Sequence, residues 1–472
     1  MSESKSSSLL EAAPTALTPV KRVWYRSTWW AALALGICNF CAPGIWGAMN
    51  SLGAGGQATP FLVNASNALT FGLMVVTAFL TSAMVRVIGV RWTLFFGAAG
   101  YAPYAAGLYC NNRFGNEWFL LLGTFWAIEA AVAMSYPEVY NQGKFLGWWL
   151  SFRVGGQILG GAINLGLNAQ RSTAGSVDPK VYIVFIALQA AGPFTAFFLP
   201  PPSKVQRTDG QKVNLLIDNP LLVELKETAK LFFTKRLTLN ALQFLLIVPL
   251  IAQAVFSESF NSTYLTLHFS VRARALGSFL SAIVCILAGN LFALLLDAKR
   301  WPLGTRARAA FALAVTLQGA WWTWSVVLNA YFHAHPTTVY DWADAGFGRA
   351  FACYLAIAAG FQMQYMFLYF VCGALVSEPA DIVRIGGLLR ATESAAQAVS
   401  YGLNSLHAFS TIGGASINMG LWAVALLPAW LVIRRIGVEY WGRHERDYVR
   451  DEGKGRRGSD GTVQEIEGKA EL

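Results

Sequence analysis

Charge is what this chain has least of. Asp, Glu, Lys and Arg make up 13% of its 472 residues, while 55% are hydrophobic. A soluble globular protein carries roughly 25% charged residues, so a share this low points to lipid as the main solvent. Histidine and cysteine are also scarce, with five and six residues. The histidines (His268, His333, His335, His407 and His444) fall at the ends of apolar stretches, in loops or in a tail. His333-Ala-His335 reads as a solvated loop before it reads as a metal site. All six cysteines (Cys38, Cys41, Cys110, Cys285, Cys353 and Cys372) sit in or beside apolar runs. The C-x-x-C spacing of Cys38 and Cys41 therefore reads as packing, since redox or metal use needs further ligands nearby. No nucleotide motif, phosphate-cradling glycine loop, nucleophile elbow or catalytic set is visible. The expectation is a non-enzyme with no metal and no cofactor. The net charge of +10 has no soluble basic domain to carry it, which excludes nucleic acid as a partner and makes the charge a matter of topology.

Long apolar runs are abundant. Twelve segments are expected to cross a bilayer: 29–50, 60–85, 91–110, 117–137, 145–167, 181–200, 238–262, 272–296, 308–332, 349–376, 383–407 and 415–435. The stretch before the first of them has no apolar core followed by a cleavage site, so the first span is expected to act as its own insertion signal. An even number of spans puts both ends on one side. The great majority of the 36 Lys and Arg residues fall on the side of the ends, which the positive-inside rule makes cytosolic. The expected protein is all-α and multi-pass, with the bilayer as its partner and both termini cytosolic. Its expected location is the plasma membrane or an endomembrane such as the vacuole.

The longest hydrophilic interruption separates six spans from six. It opens on the Pro200–Pro202 triplet, which ends a helix. Beyond Asn219-Pro220, residues Leu221, Leu222, Leu225, Ala229 and Phe232 recur at helical spacing, as an amphipathic helix on a membrane surface would have them. The chain thus divides into an N-terminal tail (1–28), a six-helix bundle (29–200), a linker (201–237), a second six-helix bundle (238–435) and a basic tail (436–472) that reads as disordered. The halves echo one another. Loops after the second and eighth spans both hold glycine and arginine, with Arg86, Gly89 and Arg91 in the first and Asp297 and Arg306 in the second. Spans five and eleven both contain an arginine, Arg153 and Arg390, and both end in Gly-Leu-Asn. Such a pseudo-symmetric repeat is a common plan for secondary transporters.

On these residues the chain resembles the major facilitator superfamily over roughly 29–435. Its signature loop between helices two and three is G-x-x-x-D-R/K-x-G-R/K-R/K. Arg86, Gly89 and Arg91 follow that pattern loosely, with one extra residue and no aspartate, while Asp297 takes the acidic position in the second half. Within the superfamily, Asn112-Arg-Phe-Gly-Asn-Glu-Trp118, the run from Phe125 to Glu138, Gly160–Asn168 and Arg384-x-Gly-Gly-Leu-Leu-Arg390 resemble fungal members of the Unc-ninety-three-like family. That family is named after a regulator of potassium channels. The resemblance implies two bundles of six helices around a central cavity. It leaves two functions open: alternating-access transport of an unidentified small solute, with proton coupling as one option, or a non-transporting role as regulatory or trafficking partner of another membrane protein.

The charges inside the spans carry the functional argument. A full charge at the bilayer centre costs at least about 2.5 kcal/mol, so it needs a partner or a polar cavity. Glu129 and Arg153 lie at matched depth on neighbouring spans and are expected to meet, either as a fixed ion pair or as cavity groups. Arg390 and Glu393, three apart, share a helix face and read either as cavity charges or as a gate latch. Gln157 and Asn164 extend the face of Arg153, and Gln397 and Asn404 extend that of Arg390, giving two polar stripes expected to line one cavity. Gly156-x-x-x-Gly160 is expected to let another helix approach closely.

Overall fold

In a computed structural model the described residues are 23–123, 142–206, 238–298, 300–335, 338–375 and 379–442. Glu129, the amphipathic stretch of the linker and most of both tails lie outside them.

The first helix, α1 (Thr28–Asn50), opens at Ser27, whose Oγ accepts the Trp30 N–H at 3.1 Å and so satisfies a first-turn donor. Midway it widens into a π-turn at Phe40–Gly44, around Pro43; proline lacks the donor a regular turn would use. The helical run Phe61–Ala99 turns sharply at Gly89, with φ 79° and ψ 164°, a conformation open to glycine. The turn separates α2 (61–88) from α3, which continues after Gly100 through Tyr101–Phe114. The opening turns of α4 are described (Trp118–Gly123). The first half closes with α5 (Gln142–Asn168) and α6, which starts at Pro179 and tightens after Ala191 into a 3-10 segment ending at Phe198. The second half holds α7 (Thr238–His268), α8 (Val271–Leu296), α9 (Leu303–Ala334), α10 (Phe347–Leu375), α11 (Pro379–Asn404) and α12 (Ile412–Ile433). We call the side opposite the chain ends the distal face; it carries the connections 51–60, 115–117, 169–178, 269–270, 338–346 and 405–411.

One expected boundary is corrected. The seventh span does not stop at residue 262 but runs on to His268, while the eighth begins at Val271, close to its expected start. Ser257, Glu258, Ser259 and Asn261-Ser-Thr263 resemble a polar exit from the membrane, yet the helix continues because their hydroxyls bond back to it. Thr263 Oγ1 donates to the Ser259 carbonyl at 2.8 Å and Thr266 Oγ1 to that of Ser262 at 2.9 Å. Asn261 is buried and donates to the Tyr354 carbonyl, so the Asn-Ser-Thr sequon is enclosed in protein. The turn is only Phe269 and Ser270, and Ser270 Oγ caps α8 by accepting the Ala273 N–H.

Glycine sets how closely the helices approach. A Cβ on Gly156 would lie 2.4 Å from the Phe40 carbonyl oxygen, and one on Gly160 would lie 2.4 Å from the Ala48 Cβ, so α5 crosses α1 at backbone contact. A Cβ on Gly161 would meet the α8 backbone at Phe279, 2.7 Å away. Without a hydrophobic drive between helices in lipid, such close approach is a main source of association. Across the two halves, α5 packs on α8 and α2 on α11. Among the described residues seven helices are long and apolar enough to cross a membrane by composition. The helices α5 and α11 are not among them, since amides and charges dilute their apolar residues. Those two helices line the site described next.

Candidate functional site

A cavity lies between the halves, with about 170 Å³ open to the centres of water-sized molecules. The π-turn of α1 contributes Pro43, with Asn39 and Trp46 on either side of it. The rest of the wall includes Phe71 of α2, Tyr101 and Tyr104 of α3, Arg153 and Gln157 of α5, Glu258 of α7, Cys285 of α8, Phe361, Gln362 and Tyr365 of α10, and Arg390 and Gln397 of α11. Both halves therefore supply guanidinium groups, amides and aromatic rings.

Glu258 is part of its wall and was not among the expected site residues. Ten residues before the end of α7, it lies about 15 Å in from the distal face at 1.5 Å per residue. Its Oε1 accepts Asn50 Nδ2 at 3.1 Å and its Oε2 accepts Gln397 Nε2 at 2.6 Å. One carboxyl is thus held by an amide from each half. The Asn50 amide also donates to Tyr401 Oη at 2.9 Å. Arg153 and Arg390 are both near enough to act on Glu258 electrostatically. Setting the end of the seventh span at 262 had left Glu258 close to a membrane surface. The pair His268-Phe269 followed by Ser270, a good helix N-cap, was the signal for the longer helix.

The other expected site residues divide by depth. Arg153, Gln157, Arg390 and Gln397 line the cavity. Glu393 lies behind Arg390, fully buried, and accepts from its Nη1 at 3.1 Å. Asn164 and Asn404 sit further toward the distal face and join helices there: Asn164 Nδ2 donates to Ser278 Oγ at 3.0 Å, and Asn404 Nδ2 to Ser259 Oγ at 3.0 Å. Glu129 is outside the described residues. Among the described residues Arg153 has no hydrogen bond or ion pair. No group of three or more metal-ligating side chains occurs among them either.

The distal face is sealed between the halves. Arg274, in the first turns of α8, is fully buried and spends its guanidinium on backbone carbonyls of the first half. Its Nε donates to Leu52, Nη1 to Gly175, and Nη2 to both Gly53 and Gln57, all at 2.8–2.9 Å. The backbone N–H groups of Val271 and Arg272 donate to the carbonyls of Thr173 and Arg171, each at 3.0 Å. Asn64 Nδ2 donates to Thr263 Oγ1 and to the Asn404 carbonyl at 2.9 Å, and Phe71 stacks on Tyr401. The Arg272 side chain, by contrast, stays within its own half, paired with Asp341 and placed over Trp342.

On the opposite face, Arg86 stands in the last turn of α2 and Gly89 makes the positive-φ turn. Arg91 Nε donates to the Leu199 carbonyl just past α6. In the second half Asp297 is exposed at the end of α8, and buried Arg306 donates from Nη1 to the Leu296 carbonyl at 2.8 Å. Each half thus uses an arginine in the first turns of a helix to satisfy a carbonyl at another helix's end, where a cation also meets the negative end of the helix dipole.

No family model matches the chain. Its fold is similar to a D-xylose–proton symporter structure, with a TM-score of 0.57 at 12% identity over 86% of this chain and 96% of that one. It is likewise similar to a POT family transporter, with a TM-score of 0.56 at 13% identity over 86% and 95%. Among the described residues, twelve helices in two halves with a cavity between them give this multi-pass membrane protein the major facilitator fold. Among known sequences it is 38% identical over 431 residues to Notoamide biosynthesis cluster protein O' of Aspergillus versicolor, covering 89% of this chain and 92% of the relative. It is 26% identical over 382 residues to UNC93-like protein 1 of Arabidopsis thaliana, covering 78% and 82%. The chain belongs to one family with that Aspergillus protein and is similar to UNC93-like proteins over most of its length.

Proposed function

We propose that the protein is a secondary transporter that moves a small solute by alternating access, coupled to protons through Glu258. The observation that carries this is the carboxyl of Glu258, hydrogen-bonded by Asn50 of one half and Gln397 of the other inside a cavity closed on the distal side. An ionised carboxylate only accepts hydrogen bonds, whereas a protonated one donates as well. Protonation therefore weakens a tie that spans the halves, and the halves are what must part for the distal side to open. Because amides and not a cation hold Glu258, it exchanges a proton without breaking a salt bridge. Glu393 is bound to Arg390 and lacks that freedom. In this reading both termini are cytosolic, so the distal face is the non-cytosolic one.

The test has two arms. Spin labels on the exposed residues Ser172 and Ala345, one in each half of the reconstituted full chain, should report two distance populations, with the longer one growing as pH falls. Proteoliposomes under an imposed proton gradient should take up solute from a metabolite mixture, and Glu258→Gln should make uptake independent of the gradient. A single, pH-insensitive distance together with absent uptake would instead favour the regulatory-partner role.

A further inference from the structure

The balance of charge and ring surface in the cavity narrows what it can hold. Among the described residues the charged side chains in its wall are the guanidinium groups of Arg153 and Arg390 and the carboxyl of Glu258, with the buried Glu393 carboxyl paired to Arg390 behind it. Glu393 answers Arg390 at 3.1 Å, and Glu258 is engaged by amides. Arg153 lines the space with no acceptor among the described residues. A guanidinium carries five donors in a planar fork suited to a carboxylate or a phosphate. Beside it stand Trp46, Phe71, Tyr101, Phe361 and Tyr365. Their ring faces accept a flat apolar body better than a compact hydrated ion, and they leave little in the wall to replace the water shell of a bare inorganic anion.

We propose that the cavity binds an organic anion with a flat, aromatic body, its acid group held by Arg153 with Arg390 beside it. This rests on the reading of the cavity as a substrate site, and it gives the proton a role. With both carboxyls ionised the four groups sum to zero. A proton on Glu258 leaves one positive charge in excess, which a bound monoanion cancels. Proton and anion therefore enter a membrane-embedded cavity together more cheaply than either does alone, and the loaded site carries the same net charge as the empty one. Binding of the anion should accordingly tighten as Glu258 is protonated.

Binding to the purified full chain in nanodiscs would be read by thermal shift and equilibrium dialysis, with 2-naphthoate, indole-3-acetate and benzoate as probes and 2-naphthamide as the uncharged match. At least one carboxylate should raise the melting temperature, and the amide should bind about tenfold more weakly or worse, as loss of a charge-assisted contact implies. Arg153→Gln should lower carboxylate affinity about tenfold while leaving the amide unchanged, and Arg153→Lys should restore part of the loss. Carboxylate binding should strengthen from neutral toward mildly acidic pH in the native chain, and should be tight and flat with pH in Glu258→Gln. Equal binding of acid and amide, undiminished binding by Arg153→Gln, or failure of all three carboxylates each overturns the proposal. A matching melting temperature of ligand-free Arg153→Gln would establish that the variant is folded. Because binding is read without flux, a chain that binds these acids yet moves nothing overturns transport alone, and transport of a neutral solute with no acid binding overturns this proposal alone.

Discussion

Arg274 and Arg153 are both arginines inside an apolar helix, and they have opposite surroundings. Arg274 is enclosed, with every guanidinium nitrogen donating to a backbone carbonyl. Arg153 is half-buried against a cavity, with no acceptor among the described residues. The first arrangement is complete without a ligand, and its acceptors lie in the opposite half of the protein, so it holds the halves together at one face. The second is incomplete, which suits a group that must take and release a partner. Burial of charge alone does not separate a structural arginine from a functional one. What separates them is whether the fold itself fills the donors.

The comparison can be broken by substitution. Arg274→Leu should have the largest effect. It strands the carbonyls of Leu52, Gln57 and Gly175 and leaves that of Gly53 with the Gly56 N–H alone, and charged hydrogen bonds are worth about 1.5–3 kcal/mol each. With part of that returned by hydration at the face, a loss of about 3 kcal/mol in the sealed state is expected. The sealed-to-open ratio should then fall about 100-fold, visible as growth of the longer spin-label distance. Arg153→Gln should move stability the other way. Removing a poorly compensated charge should leave the ligand-free melting temperature unchanged or raise it by an amount equivalent to about 1 kcal/mol. A large destabilisation would mean that Arg153 is structural after all, with Glu129 as its natural partner.

The smallest effect is expected at Asp341→Asn, which loosens the 338–346 loop within one half and leaves the seal between halves. The hydrogen bond from Arg272 holds the Asp341 carboxyl well below the usual carboxylate range, with Ser270 adding to it against the opposing effect of burial. A depressed folded value means that the contribution is fully present above the unfolded value of about 3.9 and is lost as pH falls below it. The clasp should therefore survive acidification to about pH 4, and hydrogen exchange of residues 338–346 should be flat from neutral pH down to that point. In Asp341→Asn the exchange should quicken at every pH, with a cost of about 1 kcal/mol or less.

Much of this was legible in the sequence because lipid leaves few ways to hide a charge. Arg153 and Arg390 stand out in apolar runs, and both line the cavity with Gln157 and Gln397. What was illegible followed from one boundary. Serine, threonine and asparagine near the end of α7 look like the start of a loop, yet each can return its hydrogen bond to its own helix or to a neighbour, as Thr263, Thr266 and Asn261 do. Ending the span too early placed Glu258 near a surface and Arg274 at the edge of a loop, so the cavity carboxyl and the main seal were both missed. The polar stripes were read as uniform along their helices. Depth divides them instead, since the crossing of the halves near the distal face takes up Asn164 and Asn404 before they can reach the cavity.

The seal at Arg274 also bears on how the protein can change over evolutionary time. An ion pair fails when either partner is substituted, and its two positions must vary together. A guanidinium that grips carbonyl oxygens depends on the path of the opposing backbone and is indifferent to most side chains along it. The side chains of Leu52 and Gln57 take no part in the latch, which depends instead on Gly53 and its neighbours keeping the loop's shape. The mutational risk therefore falls on Arg274 and on the positive-φ loop it grips, and not on a matched pair of charges.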